Sequence, residues 1–431
     1  MYKKLKINMR NLLVAVAIIL SLCVFTSQTI LAERIFEGVE LQYVTTSPAV
    51  TADLDRAFEE LTGAKVSVVS VAWPDLHSKL VVPLASKQST PDLFIFPDEW
   101  IGEFGSAGWF VPIDNYLTEE EKADLFPPAV ALYTYNGQTV AWVTQIMMLT
   151  MFYNEKMLSK AGYEPAKTWD EFTDQSKAMQ ASGLAKYGTT WGLGPNSTLS
   201  FEGSFYSHYL SEGGSIINEK GDPIFNNEKG VRALQWIMDT IFKFKIANPS
   251  SVEVDKRESL IPYMKGENPY NFNWQFMYPL TINPEASSVA EYSKYCLLPV
   301  TKLGATVSSL SCGGAIGVNP YSKNKDAAMA YGKFITSKKN ALKNFKEKAY
   351  LSWWSSFYND PETRVIEPQI DILKTQLERS IPKPFKFNPW YAEYSSMMCI
   401  EISKAWNERI SPKEILDNVV KKITELSNSY K

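Results

Sequence analysis

Residues 135–154 read Tyr-Asn-Gly-Gln-Thr-Val-Ala-Trp-Val-Thr-Gln-Ile-Met-Met-Leu-Thr-Met-Phe-Tyr-Asn. This stretch opens on Tyr-Asn-Gly, closes on Tyr-Asn and is mainly apolar between them. The chain before it alternates short strand-like runs with helix-like ones, a pattern that favours a parallel sheet with helices on its faces. We predict strands at residues 39–45, 65–71 and 93–96 and helices at residues 49–61 and 75–87, the second with a kink at Pro83.

The residues that follow the three predicted strands are the first candidates for a binding site, because ligands of such sheets bind beyond the carboxyl ends of the strands. They are the run Thr45-Thr46-Ser47, Trp73 and the run Asp98-Glu99-Trp100. A sugar site needs aromatic faces for the C–H faces of a ring and polar groups for its hydroxyls, and this run offers both. Two ordinary explanations stay open, since the helix dipole favours an acid at a helix start and most tryptophan is core.

The order of these features resembles one carbohydrate-binding family, the extracytoplasmic solute-binding proteins of ABC transporters that include maltose-binding protein. In that family a Tyr-Asn-Gly turn precedes a strand that enters the hinge, and Tyr-Asn begins the second lobe, as at residues 135–154 here. The run Lys-Thr-Trp-Asp-Glu-Phe at residues 167–172 also recurs there. The resemblance implies an α/β, two-lobed periplasmic-binding-protein fold of type II, in which each lobe is a mainly parallel sheet flanked by helices.

The resemblance also divides the chain. Roughly 400 residues are more than one ordinary core holds and suit two lobes. The first lobe would combine residues 33–145 with residues 300–348, and the second would combine residues 146–299 with residues 349–431. The chain would cross the hinge three times, near residues 142–150, 298–304 and 345–352.

Within the cleft between the lobes, the resemblance implies particular ligand contacts. Glu99 or Asp98 would be the acid that binds sugar hydroxyls, and Trp274 would be the tryptophan that stacks on a ring. Met147 stands where maltose-binding protein has a glutamate, which argues against maltose itself as the ligand. Each tryptophan could instead fill a core. The residues that we select as ligand contacts are Thr46, Asp98, Glu99, Trp100, Trp142, Trp274, Gly313, Gly314, Trp353, Trp354, Arg379 and Trp390.

The N-terminus predicts export. Four basic residues precede an apolar run at residues 12–25, and the first acidic residue is Glu33. That profile is typical of a secretory signal, here residues 1–32, and the run is shorter than the roughly 20 residues of a membrane-spanning helix. A periplasmic or extracellular location follows. Lipid attachment at Cys23 is the alternative, although Leu22 is larger than the Gly, Ala or Ser that normally precedes a lipoprotein cysteine.

The composition argues against several classes of function. Without residues 1–32 the chain has 40 Lys and Arg against 47 Asp and Glu, a formal charge of −7, so neither nucleic acid nor an anionic membrane is an expected partner. Cys296, Cys312 and Cys399 are odd in number and cannot all pair internally. The two histidines lie far apart, and no zinc, phosphate-loop or nucleophile-elbow motif occurs, so we expect neither metal nor cofactor.

Together these features predict a monomeric solute-binding component of an ABC importer. It would bind a carbohydrate, either an oligosaccharide or a glycoside, between its lobes and present the closed form to membrane permease subunits. Two alternatives stay open. An extracellular carbohydrate-active enzyme would carry two carboxylates across one cleft, and a binding protein that feeds a chemosensory receptor would share the fold and the cleft.

Overall fold

The computed structural model describes residues 34–46, 51–194, 198–307 and 309–430 of the chain. The predicted signal segment, including Cys23, lies outside these residues. Within them, no helix is both long and apolar enough to cross a bilayer. The thiols of Cys296 and Cys312, which lie within the described residues, are free.

The strands and helices predicted ahead of the 135–154 stretch are confirmed. Apolar and β-branched runs form the strands β1 (Glu40–Thr45), β2 (Lys65–Ser70) and β3 (Leu93–Pro97). Between them lie the helices α1 (Ala52–Thr62) and α2 (Trp73–Ala85), and the predicted proline is inside α2. The first residues of the helix predicted to precede β2 fall outside the described part of the chain.

Residues 134–154 form a tight hairpin followed by one long strand. Asn136 and Gly137 both have positive φ, 48° and 78°, which a two-residue hairpin turn of type I′ requires and which these two residues adopt most readily. The strands from the hairpin onward are β4 (Thr134–Tyr135), β5 (Gln138–Thr139), β6 (Trp142–Asn154), β7 (Tyr270–Trp274), β8 (Ser293–Cys296), β9 (Ser309–Val318) and β10 (Ser380–Pro382).

Strand β6 joins the two halves of the molecule. Its first part, Trp142–Met148, pairs antiparallel with β9, and its second part, Leu149–Asn154, pairs antiparallel with β7 and β8. The change of partner falls inside the first predicted hinge crossing. At this junction the Gln275 side chain makes hydrogen bonds to the β6 backbone that a neighbouring strand would otherwise make. Its Nε2 donates to the Ile146 carbonyl and its Oε1 accepts from the Met148 amide, both at 3.0 Å.

The sheet has the order β2-β1-β3-β9-β6-β7, with β10 beside β9 and β8 beside β6. Strand β1 pairs parallel with β2 and β3, and β10 pairs parallel with β9, as predicted for a mainly parallel sheet. That prediction does not extend to the middle of the sheet or to β7 and β8. Strand β9 runs antiparallel to both β3 and β6, and β7 and β8 run antiparallel to β6.

The rest of the described chain forms further helices. They are α3 (Ile101–Ser106), α4 (Glu119–Ala123), α5 (Pro127–Val130), α6 (Glu155–Ala161), α7 (Trp169–Ala181), α8 (Thr198–Ser211), α9 (Glu228–Phe242), α10 (Lys256–Met264), α11 (Tyr278–Thr281), α12 (Lys325–Ile335), α13 (Lys338–Lys348), α14 (Pro361–Ile366), α15 (Ile370–Glu378), α16 (Tyr391–Asn407) and α17 (Pro412–Ser429). The local signals explain their starts: Thr168 accepts the Glu171 amide at the start of α7, and Ser411 accepts the Glu414 amide at the start of α17.

Two clusters of buried side chains make up the core. The first includes residues of β1, β3 and the N-terminal part of β6, and the second includes α7, α8, α9 and α17. Buried apolar residues from Leu351 to Leu377 belong to the first cluster, whereas those from Phe385 onward belong to the second. The predicted division assigns residues 349–431 as a whole to the second lobe, so the packing motivates a revision that is proposed below.

Candidate ligand-binding cleft

A cavity of about 130 Å³ opens at the carboxyl ends of β1 and β3, beside β6 and β9. Ligands of parallel sheets bind at such ends, and a cavity of roughly 150 Å³ holds one benzene ring, so this volume suits about one sugar ring. Of the predicted site residues, the cavity brings together Thr46, Asp98, Glu99, Gly313 and Gly314. It is also lined by Trp73, Thr144, Gln145, Met147 and Lys383.

The two neighbouring acids at the cavity have different environments. Strand β3 ends at Pro97, and the chain turns through a short 3₁₀ helix, Asp98–Trp100, at the cavity wall. The Asp98 side chain is buried, and its Oδ1 accepts the Gly313 amide of β9 at 3.0 Å. The Glu99 side chain keeps 21% of its surface exposed and lines the cavity. Asp98 therefore ties the wall to β9, and Glu99 is the acid that a ligand can reach.

Two buried lysines, which the sequence analysis did not select, flank this acidic pair. The Lys383 Nζ lies 2.6 Å from Glu99 Oε1 and 3.4 Å from Asp98 Oδ1. The Lys386 Nζ donates to the Leu132 carbonyl at 2.5 Å and lies 3.8 Å from Asp98 Oδ2. Burial by itself would lower the pKa of Lys383, but the two carboxylates outweigh it and raise that pKa above its usual range. At Lys386 burial prevails and lowers the pKa to about 7.

Both lysines lie in the segment 381–387, which reads Ile-Pro-Lys-Pro-Phe-Lys-Phe. Two lysines among prolines and aromatic residues indicate buried cations, and a buried cation needs a partner of opposite charge. The partner cannot be read from the segment, since Lys383 and Glu99 are 284 residues apart in the chain. The segment therefore looks like an ordinary strand-edge or loop until the fold is known.

An exposed tryptophan stands at the edge of the cavity. Trp73 begins α2, is 54% exposed and lines the cavity. Its ring stacks on Trp100, with centroids 6.2 Å apart and planes 21° apart. Trp100 packs edge-on against His77, whose Nε2 lies 2.8 Å from Glu103 Oε2. Trp100 thus supports Trp73 from behind without lining the cavity itself, and Trp73 supplies the aromatic face.

Strands β6 and β9 form the floor of the cavity. A bulge between Val143 and Gln145 shifts the pairing of β6 with β9, and bulges re-aim side chains. Gln145 and Met147 are two residues apart, so they lie on one face of β6, and both line the cavity. On β9, Gly314 lies opposite Gln145 and Gly313 lies opposite Ile146. A Cβ at Gly313 would lie 2.7 Å from the Gln145 backbone carbonyl oxygen, so glycine is needed at this close approach.

Three predicted site tryptophans lie in the first core and not at the cavity. The ring centroids of Trp142 and Trp353 are 6.0 Å apart, and those of Trp353 and Trp354 are 5.0 Å apart. The indole nitrogens of Trp353 and Trp354 both donate to the Thr336 carbonyl. Gly332 of α12 lies so close to Trp142 that a Cβ there would be 2.2 Å from the ring. These contacts cover the tryptophan ring faces on which a ligand would have to stack.

Trp274, Trp390 and Arg379 also lie away from the cavity lining. Trp274 ends β7, a strand whose residues are all buried, and it is 6% exposed in the second core. Trp390 precedes α16, is 5% exposed and packs against Phe385 with centroids 5.5 Å apart. Arg379 follows α15 and is half-buried. The structure therefore does not gather these three residues with Glu99.

A second buried acid, Glu202 of α8, was also missed by the sequence analysis. Its Oε2 accepts the Tyr391 hydroxyl at 3.0 Å, and the hydroxyls of Tyr206 and Tyr394 lie 3.1 Å apart beside it. Burial raises the pKa of the Glu202 carboxyl to about 7, although the Tyr394 and Tyr391 hydroxyls and the charge of Lys383 oppose the rise. Glu202 does not line the cavity. Among the residues that the structure describes, no group of His, Cys, Asp and Glu could hold a metal ion.

A larger groove of about 1070 Å³ shares Lys383 with the cavity and extends along the loops at residues 210–217 and 301–307. Glycine and aliphatic residues dominate its lining. Glu212 is the one carboxylate among the described residues that line it, and no tryptophan is among them. Because the groove lacks both the indole face and the strand ends of the smaller cavity, the smaller cavity is the candidate site.

Sequence comparison relates the chain to binding proteins. The family model described as bacterial extracellular solute-binding protein matches residues 43–342. The chain is 24% identical over 334 residues to a maltotriose-binding protein of Pyrococcus abyssi. It is 25% identical over 296 residues to a probable amino-acid ABC transporter periplasmic-binding protein of Sinorhizobium fredii. The alignments cover 77% and 66% of this chain but 66% and 65% of those relatives, about two thirds of their length.

Solved structures share the fold. Maltose-bound MalE3 of T. maritima is 21% identical and matches with a TM-score of 0.79 over 90% of this chain and 100% of its own. The GacH receptor of Streptomyces glaucescens is 22% identical and matches with a TM-score of 0.76 over 91% of this chain and 99% of its own. At these identities the likeness establishes the two-lobed α/β fold. With the family match over residues 43–342, it follows that the chain belongs to the family of bacterial extracellular solute-binding proteins.

Proposed function

We propose that the chain is the solute-binding component of an ABC importer and that its ligand is a carbohydrate held in the cavity. One observation carries the proposal: an exposed indole face, Trp73, and a reachable carboxylate, Glu99, line one cavity at the carboxyl ends of β1 and β3. A sugar ring needs this combination. The names of relatives that bind maltotriose, maltose and arabinooligosaccharides support it.

The proposed ligand contacts follow from the lining of the cavity. The ring would stack on Trp73, and Glu99, Thr46 and Gln145 would exchange hydrogen bonds with its hydroxyls. Gly313 and Gly314, the other predicted candidates at this cavity, would let the ring approach the β9 backbone. The remaining predicted candidates would serve the site indirectly, Asp98 and Trp100 by holding the wall and Trp142, Trp274, Trp353, Trp354, Arg379 and Trp390 by shaping the lobes.

Binding would be coupled to hinge closure. A ligand that touches both lobes binds the closed form more tightly, and this difference in affinity shifts the population. We infer that the third crossing lies after residues 345–352, because Trp353 packs against Trp142 and donates to the Thr336 carbonyl, and Tyr358 packs against Phe126. The first lobe would then extend at least to Tyr358.

The proposed protein binds without cleaving. A glycosidase needs two carboxylates that flank the bond, whereas the carboxylates among the described lining residues, Asp98 and Glu99, are neighbours on one wall. Export through residues 1–32, as a monomer, would bring the protein to the compartment that the family description names, where membrane permease subunits could receive its ligand.

Thermal unfolding tests the proposal. A ligand that binds only the folded state raises the melting temperature with its concentration. We expect such a shift with at least one of maltose, maltotriose, arabinotriose and mannitol, and none with a mixture of amino acids. Trp73→Ala and Glu99→Gln should reduce the shift at fixed ligand concentration. The unliganded melt should stay within a few degrees of wild type in Trp73→Ala and fall further in Glu99→Gln, which leaves the buried Lys383 with Asp98 as its acidic partner. Glu120→Gln, at an exposed position of α4, is the matched control.

Three results would contradict the proposal. A shift with amino acids and none with carbohydrates would reassign the ligand. A full shift in both cavity variants would move the site elsewhere. Chromatographic detection of shortened sugars after incubation with the protein would show an enzyme.

A further inference from the structure

The acid that a ligand can reach is paired with a lysine from the segment 381–387. The Lys383 side chain is 2% exposed, and its Nζ lies 2.6 Å from Glu99 Oε1. A carboxylate has two oxygens and about four acceptor positions, of which this contact uses one. Glu99 therefore keeps acceptor positions for hydroxyl groups, while the adjacent ammonium compensates its charge.

The lysine is held in place by its surroundings. Pro382 and Pro384 restrict the backbone on both sides of it. The segment is also packed tightly against α3: the Gly102 amide donates to the Lys386 carbonyl at 3.1 Å, and a Cβ at Gly102 would lie 2.4 Å from the backbone carbonyl carbon of Phe387. The backbone that carries Lys383 thus cannot retreat from the cavity wall without breaking this contact.

The other charged groups next to this pair, Asp98 and Lys386, are buried. Asp98 is 0% exposed, accepts the Gly313 amide at 3.0 Å and has Lys386 Nζ 3.8 Å away on its other oxygen. Asp98, Glu99 and Lys383 are the charged residues among the described lining residues. A ligand in the cavity therefore reaches the Glu99 carboxylate, whose charge the buried Lys383 ammonium offsets at 2.6 Å.

We propose that Lys383 sets the charge selectivity of the cleft, so that the site takes neutral sugars and rejects amino sugars and uronic acids. This inference rests on the carbohydrate-binding function proposed above. An amino sugar would bring a second ammonium next to Lys383, and a uronic acid would bring another carboxylate next to Glu99; like charges at such distances cost affinity. A neutral hydroxyl uses the free acceptor positions of Glu99 without adding charge.

Calorimetric titration with two sets of three sugars tests the inference, because the members of a set share a ring and differ in charge. The sets are glucose, glucosamine and glucuronate, and galactose, galactosamine and galacturonate. For wild type we expect a neutral member to bind at least on the order of tenfold more tightly than its charged counterparts. In Lys383→Met, the affinity ratio of amino sugar to neutral sugar should rise by on the order of tenfold, and Lys383→Arg should restore the wild-type ratio.

Lys386→Met is the matched control, because that lysine lies in the same segment but does not line the cavity. It should leave the ratio unchanged. Partial unfolding of a variant lowers the binding of all three sugars of a set equally, so the ratio remains informative even if stability is lost.

The outcomes separate this inference from the proposed function. An unchanged ratio in Lys383→Met, or equal changes in both methionine variants, would overturn the charge selectivity alone. Binding of maltotriose by wild type without binding of any of the six monosaccharides would also overturn it and leave the proposed function standing. Binding of none of these sugars, maltotriose included, would overturn both.

Discussion

Two buried carboxylates differ in their partners. Asp98, on the cavity wall, lies near ammonium groups, and Glu202, in the second lobe, lies near hydroxyl groups. Asp98 lies 3.4 Å from the Lys383 ammonium and 3.8 Å from the Lys386 ammonium. Glu202 accepts a tyrosine hydroxyl from Tyr391, and burial raises its pKa to about 7. Burial alone therefore does not decide how an acid behaves. Asp98 has two ammonium groups as neighbours, whereas Glu202, a buried acid among hydroxyls, is costly to ionise.

The largest expected effect is at Asp98. Asp98→Asn removes the carboxylate that lies between two buried lysines, and breaking a buried ion pair from one side costs about 3–5 kcal/mol. Urea unfolding at pH 7 should show a loss of this size in the free energy of unfolding. A loss below about 1 kcal/mol, the usual value of an exposed pair, would mean that the lysines are already satisfied without Asp98.

The corresponding substitution at Glu202 should raise the free energy of unfolding relative to wild type at high pH, whereas Asp98→Asn lowers it. Its pKa is raised from 4.5 to about 7, so the folded protein keeps a proton that the unfolded chain releases. The resulting stability is fully present below pH 4.5 and is lost as the pH rises through about 7. Glu202→Gln, which cannot ionise, should therefore gain up to about 3 kcal/mol relative to wild type on going from pH 4.5 to pH 8.

Urea unfolding of both proteins at the two pH values measures this difference. Glutamine keeps an oxygen that accepts the Tyr391 hydroxyl, so the hydrogen bond is conserved in the comparison. The same difference in unfolding free energy at both pH values would show that Glu202 has an ordinary pKa and would remove the contrast with Asp98.

The smallest expected effect sharpens the role of the hydroxyls. Tyr391→Phe removes a donor to Glu202 and should cost about 1 kcal/mol of unfolding free energy, more at pH 8 than at pH 5, because the ionised carboxylate needs the donor most. Tyr206→Phe is the matched control, since its hydroxyl contacts Tyr394. Equal pH dependence in both variants would show that the tyrosines act on packing and not on the carboxyl.

The parts of the fold that local patterns predict are the parts confirmed here. Alternating Val-rich and apolar runs identified β1, β2 and β3, and Asn136-Gly137 adopts the turn that its composition favours. Local patterns also selected Thr46, Asp98 and Glu99, which line the cavity. These residues come directly after strands whose ends meet at one edge of the sheet.

The rest of the site depends on contacts between distant parts of the chain. The end of β2 pointed to Trp73, which faces solvent at the cavity, but nothing local showed that the ring of Trp142 is covered by α12 and by Trp353. The lysine opposite Glu99 is 284 residues away, so its role could not be predicted from a run of seven residues. The sequence could predict which residue types a sugar site needs, but not which copies of them the folded chain leaves uncovered.

The Gln275 side chain, which bridges Ile146 and Met148 at the midpoint of β6, has a mechanical consequence. Where a sheet changes neighbours, backbone groups would otherwise lose their partners, and an unpaired buried group costs about 1–3 kcal/mol. Here a single amide satisfies one donor and one acceptor through a side chain with several rotatable bonds. We expect a rotation of the two halves about β6 to keep both hydrogen bonds, because both partners are backbone groups of β6 itself.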